Sequence, residues 1–113
     1  MDVALVVDLI KGGGPAWPRI ETDDHLVVVG SSRPLEDAWR ISQLGMVTWL
    51  GELYGLDKLD AYQLLTQISE APLANVVDVN YSAVTKVAKA LLPPADAYRG
   101  VHRHLREAAA AGR

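Results

Sequence analysis

PLEDAWRISQLGMVTWLGELYGLDKLDAYQLLTQI, Pro34 to Ile68, is the stretch that decides how this chain folds. Leu35, Ala38, Trp39, Ser42, Met46, Trp49, Leu50 and Leu53 recur at three- and four-residue spacing, one apolar face of a helix running to about Tyr54. Ser31 and Ser32 are candidate N-caps, Pro34 suits a first helical turn, and the acids Glu36 and Asp37 complement the helix dipole. Gly55 stops the helix, because glycine enters the left-handed conformation that ends many helices. Asp57-x-x-Asp60 reads as a capping box with a shorter acid, and Leu59, Tyr62, Leu64, Leu65 and Ile68 give a second helix its apolar side. Two helices joined by Gly-Leu make a helical hairpin.

On either side the pattern turns to strands. Val3 to Ile10 is apolar and β-branched apart from Asp8 and reads as a buried or half-buried strand. Lys11 to Pro18 is a loop rich in glycine and proline, and His25 to Val29 is a second strand ending at Gly30. Asn75 to Val79 returns to strand character after Pro72. Ser82 to Leu92 fits a helix by spacing and a hairpin by its β-branched residues, and Pro93-Pro94 ends it either way. The order predicts an α+β fold, a small β-sheet with the helical hairpin packed on it. We expect one domain over 1–94 and an Ala/Arg-rich tail over 95–113, a helix that is frayed or waits for a partner.

With 113 residues, 50% of them apolar and 22% charged, the chain can enclose a core. A net charge of -3 gives no reason to expect nucleic acid or an anionic membrane as partner. No apolar run approaches the roughly 18 residues of a membrane span, and no basic leader opens the chain, so the expected location is cytoplasmic. Cysteine is absent, which removes thiolate ligands and nucleophiles and fits a reducing compartment.

Chemistry concentrates in "RIETDDH". If that segment is extended, Glu21, Asp23 and His25 share one face and form a candidate metal set for a zinc-like divalent ion, or an acid–base set. The alternative is a polar approach to the strand with Asp23 or Asp24 in a turn. Lys11-Gly-Gly-Gly14 lacks the Gly-Lys-Ser/Thr ending and following helix of a phosphate loop. The hairpin is no DNA reader, since its second helix carries Asp57, Asp60 and Glu70 against a single Lys58. Trp39 and Trp49 read as core or interface anchors. His102 and His104 sit in a solvated basic tail, and Asp78 either caps a loop or faces a site.

Five phrases carry a likeness: "VDLIKG", "WPRIETDDH", "VGSSRPLEDAWRIS", "MVTWLGELYGLDKLDAYQLLTQISEAPLANVVDVNY" and "ALLPP". In order and spacing, from Val7 to about Pro93, they resemble the carboxy-terminal part of the acetamidase/formamidase family. The resemblance implies a portion of a larger β-rich amidohydrolase fold and metal-dependent hydrolysis of short linear amides to carboxylate and ammonia. It also implies that the His-, Asp- and Gly-rich metal-binding stretch belongs to an amino-terminal part with no counterpart here. Of the functional positions it carries over only Glu21 and His25, as pocket-wall residues. The chain is then expected to be a carboxy-terminal subunit or fragment, inactive without an amino-terminal amidase partner and assembled as a homo- or hetero-oligomer. The alternative is a non-catalytic, self-assembling module in which Trp39, Trp49 and the first strand form the interface. A third reading, an autonomous hydrolase built on Glu21, Asp23 and His25, lacks a second carboxylate placed as a base.

Overall fold

A computed structural model describes residues 1–112. Three helices and a five-stranded antiparallel sheet form an α+β fold, as the hairpin pattern predicts. The strands are β1 (Arg19–Glu21), β2 (His25–Ser32), β3 (Ser69–Glu70), β4 (Leu73–Asn75) and β5 (Tyr81–Ala88). The helices are α1 (Leu35–Tyr54), α2 (Lys58–Ile68) and α3 (Val101–Ala111). The sheet runs β1-β2-β5-β3, with β4 also paired to β5. Its spine is the pairing of β2 with β5 from His25 opposite Ala88 to Ser32 opposite Tyr81.

Alternation along that spine sends Leu26, Val28 and Gly30, with their partners Val87, Thr85 and Ala83, toward α1. There they meet Met46, Trp49, Leu50, Ala61 and Leu65, the heart of the apolar core. Two glycines make the approach possible. A Cβ on Gly30 would press on the Ala38 carbonyl and lie 2.8 Å from the Ser42 nitrogen. A Cβ on Gly45 would lie 2.7 Å from Cγ1 of Val28. The buried Ser42 and Thr85 hydroxyls satisfy each other at 2.7 Å, and Gln43 Nε2 donates to Thr85 at 2.9 Å.

Helix ends follow the sequence closely. Gly55 stands at φ 66° and donates its N–H to the Gly51 carbonyl. The Asp57 carboxylate accepts the Asp60 N–H at 2.8 Å, which opens α2. β2, however, runs on through Gly30 to Ser32, so Pro34 takes the N-cap place and neither serine does.

Several expectations are corrected. Val3 to Ile10 forms no strand: its apolar side chains are exposed and no sheet edge meets them. Gly12 and Gly13 stand at φ 108° and 88°, a left-handed backbone that breaks any extended run before Trp17. Residues 76–80 form a bend instead of a strand, because Asn75 accepts the Val77 N–H and donates to Asp78, so local side-chain bonds replace ladder bonds. The ambiguous stretch resolves as β5 followed by a 3-10 turn, Lys89–Leu91. Trp39 and Tyr62 are exposed, while Trp49 is buried. The tail carries a helix, α3, as expected, and Ala97 just before it belongs to the core. No helix among the described residues is long and apolar enough to cross a membrane.

Candidate functional site

The segment Arg19 to His25 is a hairpin, and this decides where its side chains go. Thr22 Oγ1 accepts the Asp24 and His25 N–H groups and closes the turn. Arg19 pairs with Val28, Ile20 with Val27 and Glu21 with Leu26. Because Val28 and Leu26 face α1, so do Arg19 and Glu21. His25, adjacent to Leu26, points to the opposite face.

The premise of a Glu21–Asp23–His25 ligand set was a single extended strand, and the turn removes it. Glu21 is held by Lys89 Nζ at 2.8 Å. Asp23 is held by His102 Nε2 and Arg106 Nε, each at 2.9 Å, and both partners lie on α3. Both carboxylates already have partners within this chain. No cluster of three His, Cys, Asp or Glu among the described residues is arranged to hold a metal ion. The residues present do not fit a zinc-like centre. Of the two pocket-wall candidates, Glu21 lines a cleft of about 400 Å³ under α3, shared with Arg19, Trp49, Tyr98 and His102.

The most elaborate polar arrangement centres on Arg19, which sequence reading passed over. Its side chain is only 7% exposed. Nη1 donates to Glu52 Oε2 at 2.7 Å and to the Tyr98 hydroxyl at 3.1 Å, and Nη2 donates to Glu52 Oε1 at 3.2 Å. The guanidinium carbon lies 5.0 Å from the centre of the Trp49 ring, within cation–π range. Burial alone would lower the Arg19 pKa, but the bonds to Glu52 and Tyr98 raise it above the usual guanidinium value, so the charge is secure. Arg19 Nε is enclosed and has no acceptor among the described residues.

Tyr98 reaches Arg19 from an unusual backbone. Tyr98, Arg99 and Gly100 stand in succession at φ 49°, 60° and 75°. Two non-glycine residues in the left-handed region cost on the order of 1 kcal/mol each, strain that the packing of Tyr98 on Trp49 and Arg19 offsets.

On the other side of Arg19 lies a cleft of about 350 Å³ between the Gly14–Trp17 loop and α1. Trp17, Val28, Ile41 and Leu44 form its apolar walls, and Arg19, Thr48 and Glu52 supply its polar groups. Of the glycine run only Gly14 reaches this cleft, where it continues into the wall formed by Pro15, Ala16 and Trp17. In the sequence, Trp49 and Glu52 share a helix face and Arg19 alternates with Glu21, but nothing links Tyr98 to them.

Two solved acetamidase structures are similar to this chain. An acetamidase from Yersinia enterocolitica superposes with a TM-score of 0.71 at 39% identity, over 75% of this chain and 26% of that one. An acetamidase from Bacillus halodurans superposes with a TM-score of 0.61 at 23% identity, over 65% of this chain and 25% of that one, a likeness of fold. The chain thus has an acetamidase/formamidase-like fold and spans about a quarter of the length of these proteins. A scan of protein-family models and a search of curated proteins gave no match.

Proposed function

We propose that this chain, acetamidase-like over three quarters of its length, is the carboxy-terminal part of a formamidase/acetamidase-like amidohydrolase that converts short linear amides to carboxylate and ammonia. The observation that carries this reading is the likeness to the Yersinia enterocolitica acetamidase in both sequence and fold. Amide hydrolysis requires a group that polarises the carbonyl or activates water, and an acid that protonates the leaving amine. Among the described residues no group of three His, Cys, Asp or Glu is placed for the first task, and on this reading that task falls to another part of the enzyme. This part contributes pocket wall and support, and by itself it leaves amides intact.

The test mixes the chain with an acetamidase lacking the matched quarter and follows ammonia release from formamide and acetamide. The reading expects release well above that of the truncated acetamidase alone. No gain would count against it, and brisk turnover by this chain alone would remove its dependence on a second part.

The exposed apolar run Val3–Ile10 favours a second reading, a non-catalytic module that assembles with copies of itself. Burial of Trp49 takes that residue out of the expected interface and leaves Trp39 and the run to form it. Sedimentation of a stable oligomer with no complementing activity would support this reading over the first.

A further inference from the structure

We propose that the trough between α3 and the apolar run ending at Ile10 is a docking surface for an acidic amphipathic helix of a partner protein. This surface lies beyond the amidase reading and stands without it.

Two clefts make the trough. One, of about 400 Å³, lies under α3, and the other, of about 540 Å³, lies between residues 8–11 and the start of α3. Ile10, Tyr98 and Val101 line both, so the two are continuous. Leu9 extends this apolar floor at one end and Leu105 at the other. The five side chains are between 37% and 75% exposed. Val101, Leu105 and Ala108 recur at helical spacing as an apolar stripe, yet α3 has no buried residue. Its ties to the rest of the molecule are polar: His102 and Arg106 to Asp23, and Arg103 to Asp96. The stripe is thus still open to a partner.

Charge selects that partner. Lys11 and Arg99 bring two positive charges to the trough, and His104 an imidazole that joins them when protonated. None of the three is in an ion pair among the described residues, whereas Arg40, Lys89, Arg103 and Arg106 all are. Asp8 is the single acid on this wall, and its Oδ1 accepts the Leu9 N–H at 2.8 Å. α3 opens at Gly100 with no side-chain cap and no acid in its first turn, so the helix dipole adds to the positive field. Carboxylates flanking an apolar stripe complement this arrangement, in the manner of a helix laid in a groove.

Other occupants fit less well. A wholly apolar segment would strip water from Lys11 and Arg99 and return nothing. A nucleic acid would neutralise these cations but leave the aliphatic floor in water, on a chain of net charge -3. A second copy, set trough to trough by a two-fold axis, would bring Lys11 and Arg99 against the same cations.

The experiment measures fluorescence anisotropy of labelled helical peptides of about four turns, titrated with the full chain. One peptide carries a leucine stripe flanked by glutamates, a second has lysine for each glutamate, and a third has serine for each leucine. A uridine oligomer is the fourth probe. The glutamate peptide should saturate with a dissociation constant of about 10–100 µM, as suits a small transient interface, and weaken at least about fivefold at high salt. The other three probes should bind at least about tenfold more weakly. Lys11→Glu lies in the exposed loop, and Arg99→Asn keeps a residue type that tolerates the left-handed backbone, so neither disturbs the core. Each should weaken binding at least about threefold. Leu105→Ser should weaken it about tenfold with the far-UV helix signal retained. Absence of saturation, equal binding by the lysine peptide, tighter binding by the uridine oligomer, or affinity unchanged in Lys11→Glu would each overturn the proposal. So would sedimentation showing a self-associated chain that excludes the peptide and is dispersed by Leu105→Ser, since the occupant would then be a second copy.

Discussion

Glu52→Ala tests whether Arg19 is as isolated from water as its surroundings imply. The substitution removes both carboxylate bonds, at 2.7 and 3.2 Å, from a guanidinium that is 7% exposed. Breaking a wholly buried ion pair costs about 3–5 kcal/mol, because the remaining charge is stranded. Glu52 itself is 55% exposed, so the native pair already forgoes part of that interaction to solvent. Tyr98 and the face of Trp49 remain to support the cation after the change. These opposing effects place the expected loss at about 2 kcal/mol, in line with hydrogen bonds to charged groups. With a urea dependence of roughly 1–2 kcal/mol/M for a domain this small, the unfolding midpoint should fall by about 1–2 M. Equilibrium unfolding followed by tryptophan fluorescence measures it. Glu52→Gln keeps one acceptor and should lose about half as much. A loss below about 0.5 kcal/mol in Glu52→Ala would mean that Arg19 is readily rehydrated, and the reasoning about its buried donors would fail.

Two further outcomes follow from the packing and the charges. Gly30→Val drives a branched side chain into the Ala38 carbonyl and the Ser42 nitrogen, and should cost at least about 3 kcal/mol or abolish folding, whereas near-native stability by thermal unfolding would show that α1 does not sit this close to β2. A hydrogen bond from Arg103 and its charge hold the Asp96 carboxylate below its ordinary pKa of 3.8, so its contribution to docking of α3 is present above that pH and lost as pH falls through the depressed folded value; the far-UV helix signal should decline over that acidic range, and should do so less in Arg103→Ala.

The helical hairpin was legible because its signals are local. Gly55, the Asp57 cap and the spacing of Ala38, Ser42, Met46, Trp49 and Leu50 each act within a turn or two of backbone. What misled was composition taken without partners. Val3–Ile10 and Val76–Val79 have the residue types of strands, but strand formation needs a neighbouring ladder, and Asn75 offers its neighbours closer bonds. Trp39 and Tyr62 satisfy helical spacing yet lie at the margin of a face that the narrow sheet does not cover. The site was least legible. Glu21, Asp23 and His25 read as a set only if no turn intervenes, and Thr22 makes one. Arg19, Glu52 and Tyr98 are brought together across 33 and 79 residues of chain, a separation no local pattern spans.

The uncovered run ahead of Gly12 bears on how the protein behaves at concentration. Val3 to Ile10 combines β-branched and aliphatic residues with one charge and no proline, the composition that stacks into cross-β fibrils when left in water. Its solubility is then a race between capture by the proper companion surface and seeding of fibres, with Asp8 the lone gatekeeper inside the run.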